Sequence, residues 1–185
     1  YVGDVFQCYL FFENQTHMLA VDQHAFHERI LYERLIQNPS LLTSSEKLII
    51  PEAVSLTPSQ NSNLQRLHET LEEIGFRITY LDTTTLEVLA IPCLLKSKDI
   101  SSVITDLAEV VDADNLKDKA QAILSPIIAT IACHSAVRAG ESLTKDELTA
   151  LLAEAKQVDF FHNCPHGRRV FRWFHKHEVE RWFDR

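Results

Sequence analysis

Apolar positions along this chain fall into runs with two different periods, separated by short polar breaks. Val5–Phe12 and Met18–Val21 are apolar or aromatic runs, and Glu13-Asn14-Gln15-Thr16 between them predicts a hairpin. The period then changes. His24, Glu28, Leu31 and Leu35 lie four, seven and eleven residues apart, on one face of a helix over about 24–37 that stops near Asn38-Pro39. Leu48-Ile49-Ile50-Pro51 is a short strand candidate. The polar stretch 57–63 opens a helix whose stripe is Leu64, Leu67, Leu71 and Ile74, with Gly75 as its C-cap. Two strands, about 76–81 and 85–91, and a helix, about 98–111, follow. Ser125-Pro126 reads as the N-cap and first residue of a helix carrying Ile127, Ile128, Ile131 and Cys133, with Gly140 as its C-cap. Thr144-Lys145-Asp146-Glu147 is a capping box for a helix over about 145–157. A strand over about 169–174 and an amphipathic helix over about 175–183 end the chain.

This pattern gives an α+β fold in which residues 48–115 form a compact insertion with its own small core. Segments 1–47 and 116–185 form the remainder. With 185 residues, 45% of them hydrophobic and 24% charged, the chain suits one sizeable globular domain or two small ones. It holds no apolar run of 18 residues and no signal-peptide pattern, which points away from a membrane and toward an intracellular setting. Tyr1 is not an initiator Met, so a fragment or a processed product is expected.

A net charge of −8 argues against gripping nucleic acid through the overall field. The stretch Arg168–Arg185 nevertheless carries six Lys/Arg against three acids, either a local basic edge or a solvated helix. Cys8, Cys93, Cys133 and Cys164 are too few and too widely spaced for a disulfide framework, so a reducing compartment is the better fit. Cys8 and Cys93 sit in strand-like apolar runs and read as core. His162, His175 and His177 read as surface histidines.

Chemistry concentrates in two stretches. Residues Asp22 to Glu33 pack one Asp, two His and two Glu into twelve residues. His24 and Glu28 share a helical face at the edge of an apolar stripe, where they need partners: either a metal or a hydrogen-bond network. Asn163-Cys164-Pro165-His166-Gly167-Arg168 is a tight turn that brings a thiol and an imidazole together. With Cys133 these residues make a thiolate, imidazole and carboxylate set of the kind that binds Zn²⁺, provided the segments converge. Asp22 could equally cap the helix. His27 reads as a stacked or solvated side chain, and His134 as pointing away from the set.

These residues resemble the C-terminal domain of MutL-type DNA mismatch repair proteins, in the branch with a latent endonuclease. Asp22-Gln23-His24-Ala25-Phe26-His27-Glu28-Arg29-Ile30-Leu31-Tyr32-Glu33 fits that family's endonuclease motif at every fixed position. Ala132-Cys133-His134-Ser135-Ala136-Val137-Arg138 resembles its Ala-Cys helix motif, Asn163–Arg168 its Cys-Pro-His-Gly-Arg motif, and Phe171-Arg172 a Phe-x-Arg element.

The resemblance implies metal ligands at His24, Glu28, Cys133, Cys164 and His166, with Asp22 close by. It also implies a further motif carboxylate at Glu33, so that Asp22, His24, Glu28 and Glu33 form the catalytic set. It implies a dimerisation subdomain built from both chain ends around an inserted regulatory subdomain. The activity implied is DNA nicking with Zn²⁺ and Mn²⁺; ATP would act only through an N-terminal ATPase outside this chain. Expected partners are a second copy, DNA, a mismatch-recognition protein and a sliding clamp, in the bacterial cytoplasm or a nucleus. Arg138, Arg168 and Arg169 are candidate DNA contacts. Arg169 replaces the usual Pro after the Cys-Pro-His-Gly-Arg motif. Glu46–Pro51 lies where bacterial members often carry a clamp-binding motif, with Leu48, Ile49 and Pro51 as its candidate contacts. Glu replaces Gln there, and the Pro is one residue further on. The rival reading is a non-catalytic dimerisation module with a structural zinc. A hydrolase with Cys164 as nucleophile fits poorly, because Cys164 and His166 in a tight turn are better placed to chelate together than to attack.

Overall fold

The computed structural model describes residues 1–95, 99–110, 120–138, 140–141, 143–158 and 163–185, with backbone only at 120–122. In chain order the elements are β1 (Gly3–Val5), β2 (Tyr9–Glu13), β3 (His17–Asp22), α1 (Gln23–Gln37), β4 (Ser45–Ser55), α2 (Pro58–Arg66), α3 (His68–Glu73), β5 (Arg77–Tyr80), β6 (Thr85–Pro92), α4 (Ile100–Val110), α5 (Ala120–Ser135), α6 (Lys145–Ala155), β7 (Phe171–His175) and α7 (Lys176–Arg181). The fold is α+β. Among the described residues no helix is long and apolar enough to cross a membrane. His162, the ends of the expected helix at 98 and 111, and the boundary at 115–116 lie outside the described residues.

The chain divides into two compact units, Tyr1–Glu33 with Ala136–Arg185, and Arg34–Ser135. The second is wider than the 48–115 segment expected from the pattern of elements, since it takes in the end of α1 and all of α5.

The first unit is built on an antiparallel sheet in the order β1-β2-β3-β7. Leu10 pairs with Val21 across β2 and β3, and both are buried. Their side of the sheet packs with Phe26 and Ile30 of α1 and Leu148 and Leu151 of α6. Cys164 and Val170 belong to the same core, so the turn that carries Cys164 is anchored by apolar burial. The expected single strand Val5–Phe12 is broken. A tight turn at Phe6 and Gln7, both at positive φ (58° and 53°), separates β1 from β2. Cys8 lies in that turn, half-buried, and is not a core residue.

The second unit carries the sheet β4-β6-β5, with α4 against α2, α5 and β4. Phe76, Leu64, Leu71, Leu86, Ile104 and Leu107 fill its core. The expected helix with the Leu64–Ile74 stripe is two helices, α2 and α3, that meet at Leu67. Gly75 has φ +95°, as a C-capping residue requires, and a Cβ there would lie 2.8 Å from the Leu42 carbonyl oxygen. Leu48–Pro51 is part of an eleven-residue edge strand. Its register with β6 shifts between Lys47 and Glu52, where five steps along β4 match two along β6 (47 to 52 against 90 to 88). An edge bulge is where a strand tolerates Pro51. It leaves Ile49 fully exposed and Ile50 81% exposed.

Two expectations about α5 are corrected. Pro126 does not start the helix; it lies inside it, and Ile127, Ile128 and Ile131 behind it are fully buried. Burial of that stripe outweighs the backbone hydrogen bond that the proline ring removes. Gly140 is not the C-cap, because α5 ends at Ser135. It sits at φ +88° in a later turn, where its N–H donates to the Gln7 carbonyl. Cys93 is also not core: it is exposed, with its Sγ 3.5 Å from Ser44 Oγ.

Candidate metal centre

The centre in the first unit starts at the junction of β3 and α1. Asp22 closes the strand, and its Oδ1 accepts the Ala25 N–H at 2.9 Å, which caps the helix. The helix then turns His24 and Glu28 to one side. Glu28 is 1% exposed, a carboxylate withdrawn from water. Its Oε1 meets His166 Nδ1 at 2.5 Å, and its Oε2 lies 3.8 Å from His24 Nε2. Cys164 is buried beside it. Burial pushes the Cys164 thiol up, and the Glu28 carboxylate adds to that rise. Backbone hydrogen bonds at Arg168 and His166 pull the other way.

The turn that holds Cys164 and His166 closes on itself. Gly167 N–H donates to the Cys164 carbonyl at 2.8 Å, and Cys164 N–H donates to the Arg168 carbonyl at 2.9 Å. Gly167 at φ +84° makes that reversal easy. Arg29 Nη1 donates to the Asn163 carbonyl and ties the turn to α1.

His24 and His27, neighbours on α1 at a spacing of three, grip one residue between them. The Val137 carbonyl accepts from His24 Nδ1 at 3.0 Å, and the Val137 N–H donates to His27 Nδ1 at 3.2 Å. A proton on His24 Nδ1 leaves the Nε2 lone pair facing Glu28, the arrangement in which an imidazole serves as a ligand. Gln23, 2% exposed, donates from Nε2 to the Glu141 carbonyl at 2.8 Å and holds the same stretch. His27 is therefore not a solvated or stacked histidine; it and Gln23 are positioning residues.

A cavity of about 250 Å³ opens next to this group, lined by Gln7, Cys8, Tyr9, Asp22, Gln23, His24, Arg138 and Arg168. The structure thus gathers Asp22, His24, Glu28, Cys164, His166, Arg138 and Arg168 in one unit. Arg169 is exposed and does not line the cavity. Glu33 is held by Arg29, Oε1 to Nη2 at 2.5 Å. Cys133 belongs to the second unit, half-buried in the last turn of α5. Its neighbour His134 bonds Asp106 in that unit at 2.7 Å. Two imidazoles, a carboxylate and a thiol suit a borderline ion such as Zn²⁺, and Asp22 adds a hard oxygen that suits Mn²⁺ or Mg²⁺.

The MutL C terminal dimerisation domain family matches residues 2–143. The chain belongs to this family. Relatives aligning over the whole chain carry the name DNA mismatch repair protein MutL. Those from Geotalea daltonii, Xanthomonas campestris and Koribacter versatilis are 31%, 32% and 27% identical over 185 residues. The chain spans about a third of their length, 31%, 30% and 29% respectively. The family match ends before the Cys164–Gly167 turn, whereas these alignments include it.

Proposed function

We propose that this chain is the metal-dependent DNA-nicking and self-association module of a MutL-type mismatch repair protein. The observation that carries the reading is Glu28, a buried carboxylate faced by the ring nitrogens of His24 and His166 and flanked by the Cys164 thiol. A buried charge of this kind asks for a compensating cation, and the surrounding groups are ligand types.

His24, Glu28, Cys164 and His166 would hold a zinc-like ion. A bound divalent ion would supply Lewis-acid stabilisation to a phosphodiester undergoing hydrolysis. Asp22, which lines the cavity, would favour a second, harder ion of the Mn²⁺ kind. Arg138 and Arg168 would take the phosphate oxygens by charge-assisted hydrogen bonds, fixing the backbone before cleavage. The net charge of −8 makes this grip local, which suits a nuclease that acts only once partners deliver it to DNA.

Self-association is supported by the family description and by an apolar groove of about 310 Å³ in the first unit, lined by Phe12, Leu19, Phe26, Leu152, Phe171 and Trp173 among others. A mismatch-recognition protein and a sliding clamp are further proposed partners. The exposed Ile49 and Ile50 at the β4 bulge support a clamp contact. A clamp pull-down should weaken for Leu48→Ala with Ile49→Ala, and an unchanged pull-down removes this segment from the account.

The nuclease reading is tested by nicking of supercoiled plasmid in Mn²⁺. Wild-type protein converts it to open circles, and Asp22→Asn and Glu28→Ala do not. Nicking by Asp22→Asn at the wild-type rate contradicts the assignment.

A further inference from the structure

We propose that the β1–β2 turn presents Phe6 as a stacking platform for a nucleobase next to the bond cut at this site. The inference rests on the nuclease reading above and names a DNA contact outside the ligand set.

Three observations carry it. The first is conformation. Four-residue turns with positive φ at both central positions favour Asn-Gly or Asp-Gly there. Here the positions are Phe6 and Gln7, two full side chains in the left-handed region. Left-handed backbone at non-glycine residues persists only where the surroundings enforce it, and it concentrates at functional sites. The second is anchoring. Cys8 N–H donates to Val5, the Cys8 carbonyl accepts from Gln23 N–H at the start of α1, and the Gln7 carbonyl accepts from Gly140 N–H. The turn is thereby fixed both to the helix that carries His24 and Glu28 and to the stretch that carries Arg138. The third is placement. Gln7, Cys8 and Tyr9 line the cavity shared by Asp22, His24, Arg138 and Arg168, while Phe6 beside them is 83% exposed. An exposed aromatic ring on the turn whose next residues line a pocket with two arginines is a combination that can bind an unstacked base while the cations hold its phosphate. The carboxylate of Asp22 in the same cavity repels phosphate until a cation neutralises it, so base stacking should depend on divalent metal.

The probe is a nicked duplex with 2-aminopurine at the nick terminus, bound by the protein with Ca²⁺ replacing Mn²⁺. Plasmid nicking in Mn²⁺ and sedimentation are measured alongside. Phe6→Asn removes the ring with a residue that accepts the left-handed turn, and Phe6→Trp keeps an aromatic face. Wild-type protein and Phe6→Trp should quench the probe, whereas Phe6→Asn should lose the quenching and bind roughly tenfold more weakly. Zinc content should not change. Binding and quenching by Phe6→Asn equal to wild type, with plasmid nicking intact, overturns the stacking platform and leaves the nuclease reading standing. Phe6-dependent quenching without any nicking by wild-type protein supports the base site and sinks the nuclease reading instead. Loss of self-association in Phe6→Asn with DNA binding unchanged makes Phe6 a protein contact and overturns the proposal.

Discussion

At the residue scale, a short motif divides its labour between candidate ligands and the residues that position them. Asp22, His24 and Glu28 could be read as candidates from type and spacing, because a helix places residues four apart on one face. Their partners could not. Val137 is 113 residues from His24, and nothing in a peptide carbonyl marks it as an anchor. The role of His27 was half legible: a spacing of three from His24 puts it on the same side of α1, but what it holds is backbone. The ion pair of Glu33 with Arg29 has a signal that the reading passed over, their i, i+4 spacing on one helix. His27→Ala leaves the Val137 N–H without its acceptor, so it should destabilise the protein by about 1–2 kcal/mol in urea unfolding. His27→Gln should recover part of that loss. Equal stabilities for wild type and His27→Ala would show that this hydrogen bond positions nothing.

At the element scale, the caps of α6 and of the Gly75 turn were legible because each rests on a few adjacent residues. Both capping boxes that the structure forms around α2 and α6 are local: Thr57 with Gln60, and Thr144 with Glu147. Thr57→Ala should cost about 1 kcal/mol. Glu147 lies below the usual carboxylate range, chiefly through the Thr144 hydroxyl and then its backbone N–H. Its contribution is therefore present above the unfolded value of 4.5 and lost as pH falls through the lower folded value. The Tm gap between wild type and Glu147→Gln should shrink as pH drops below 4.5, and a constant gap would refute the cap's electrostatic role. Gly75→Ala combines positive φ with a Cβ 2.8 Å from the Leu42 carbonyl, so a loss of about 1–3 kcal/mol is expected by urea unfolding. Two of the misread elements have different causes. Pro126 looked like a helix start because proline favours that position, yet the buried isoleucines around it carry the helix through. The length of β4 was hidden by its bulge, which breaks the alternation of apolar and polar residues.

At the scale of the whole molecule, the unit that holds the candidate centre is assembled from the two ends of the chain, and α1 is continuous across its boundary. Sequence pattern could mark an insertion but not its limits, since α5 reads the same whichever core its apolar face joins. A proposed dimer through the apolar groove of the first unit gives Trp173, 55% exposed, a role that a lone domain does not need. Trp173→Asp should shift sedimentation toward a single copy, and an unchanged species places the dimer contact elsewhere. The central claim is that His24, Glu28, Cys164 and His166 bind one metal ion. Its most direct test is zinc content of the purified protein after reconstitution, measured for wild type and Cys164→Ser. The account predicts about one equivalent of tightly held zinc in wild type, lost or weakened at least tenfold in the variant. Full zinc retention by Cys164→Ser, or no zinc in the wild type, would contradict it.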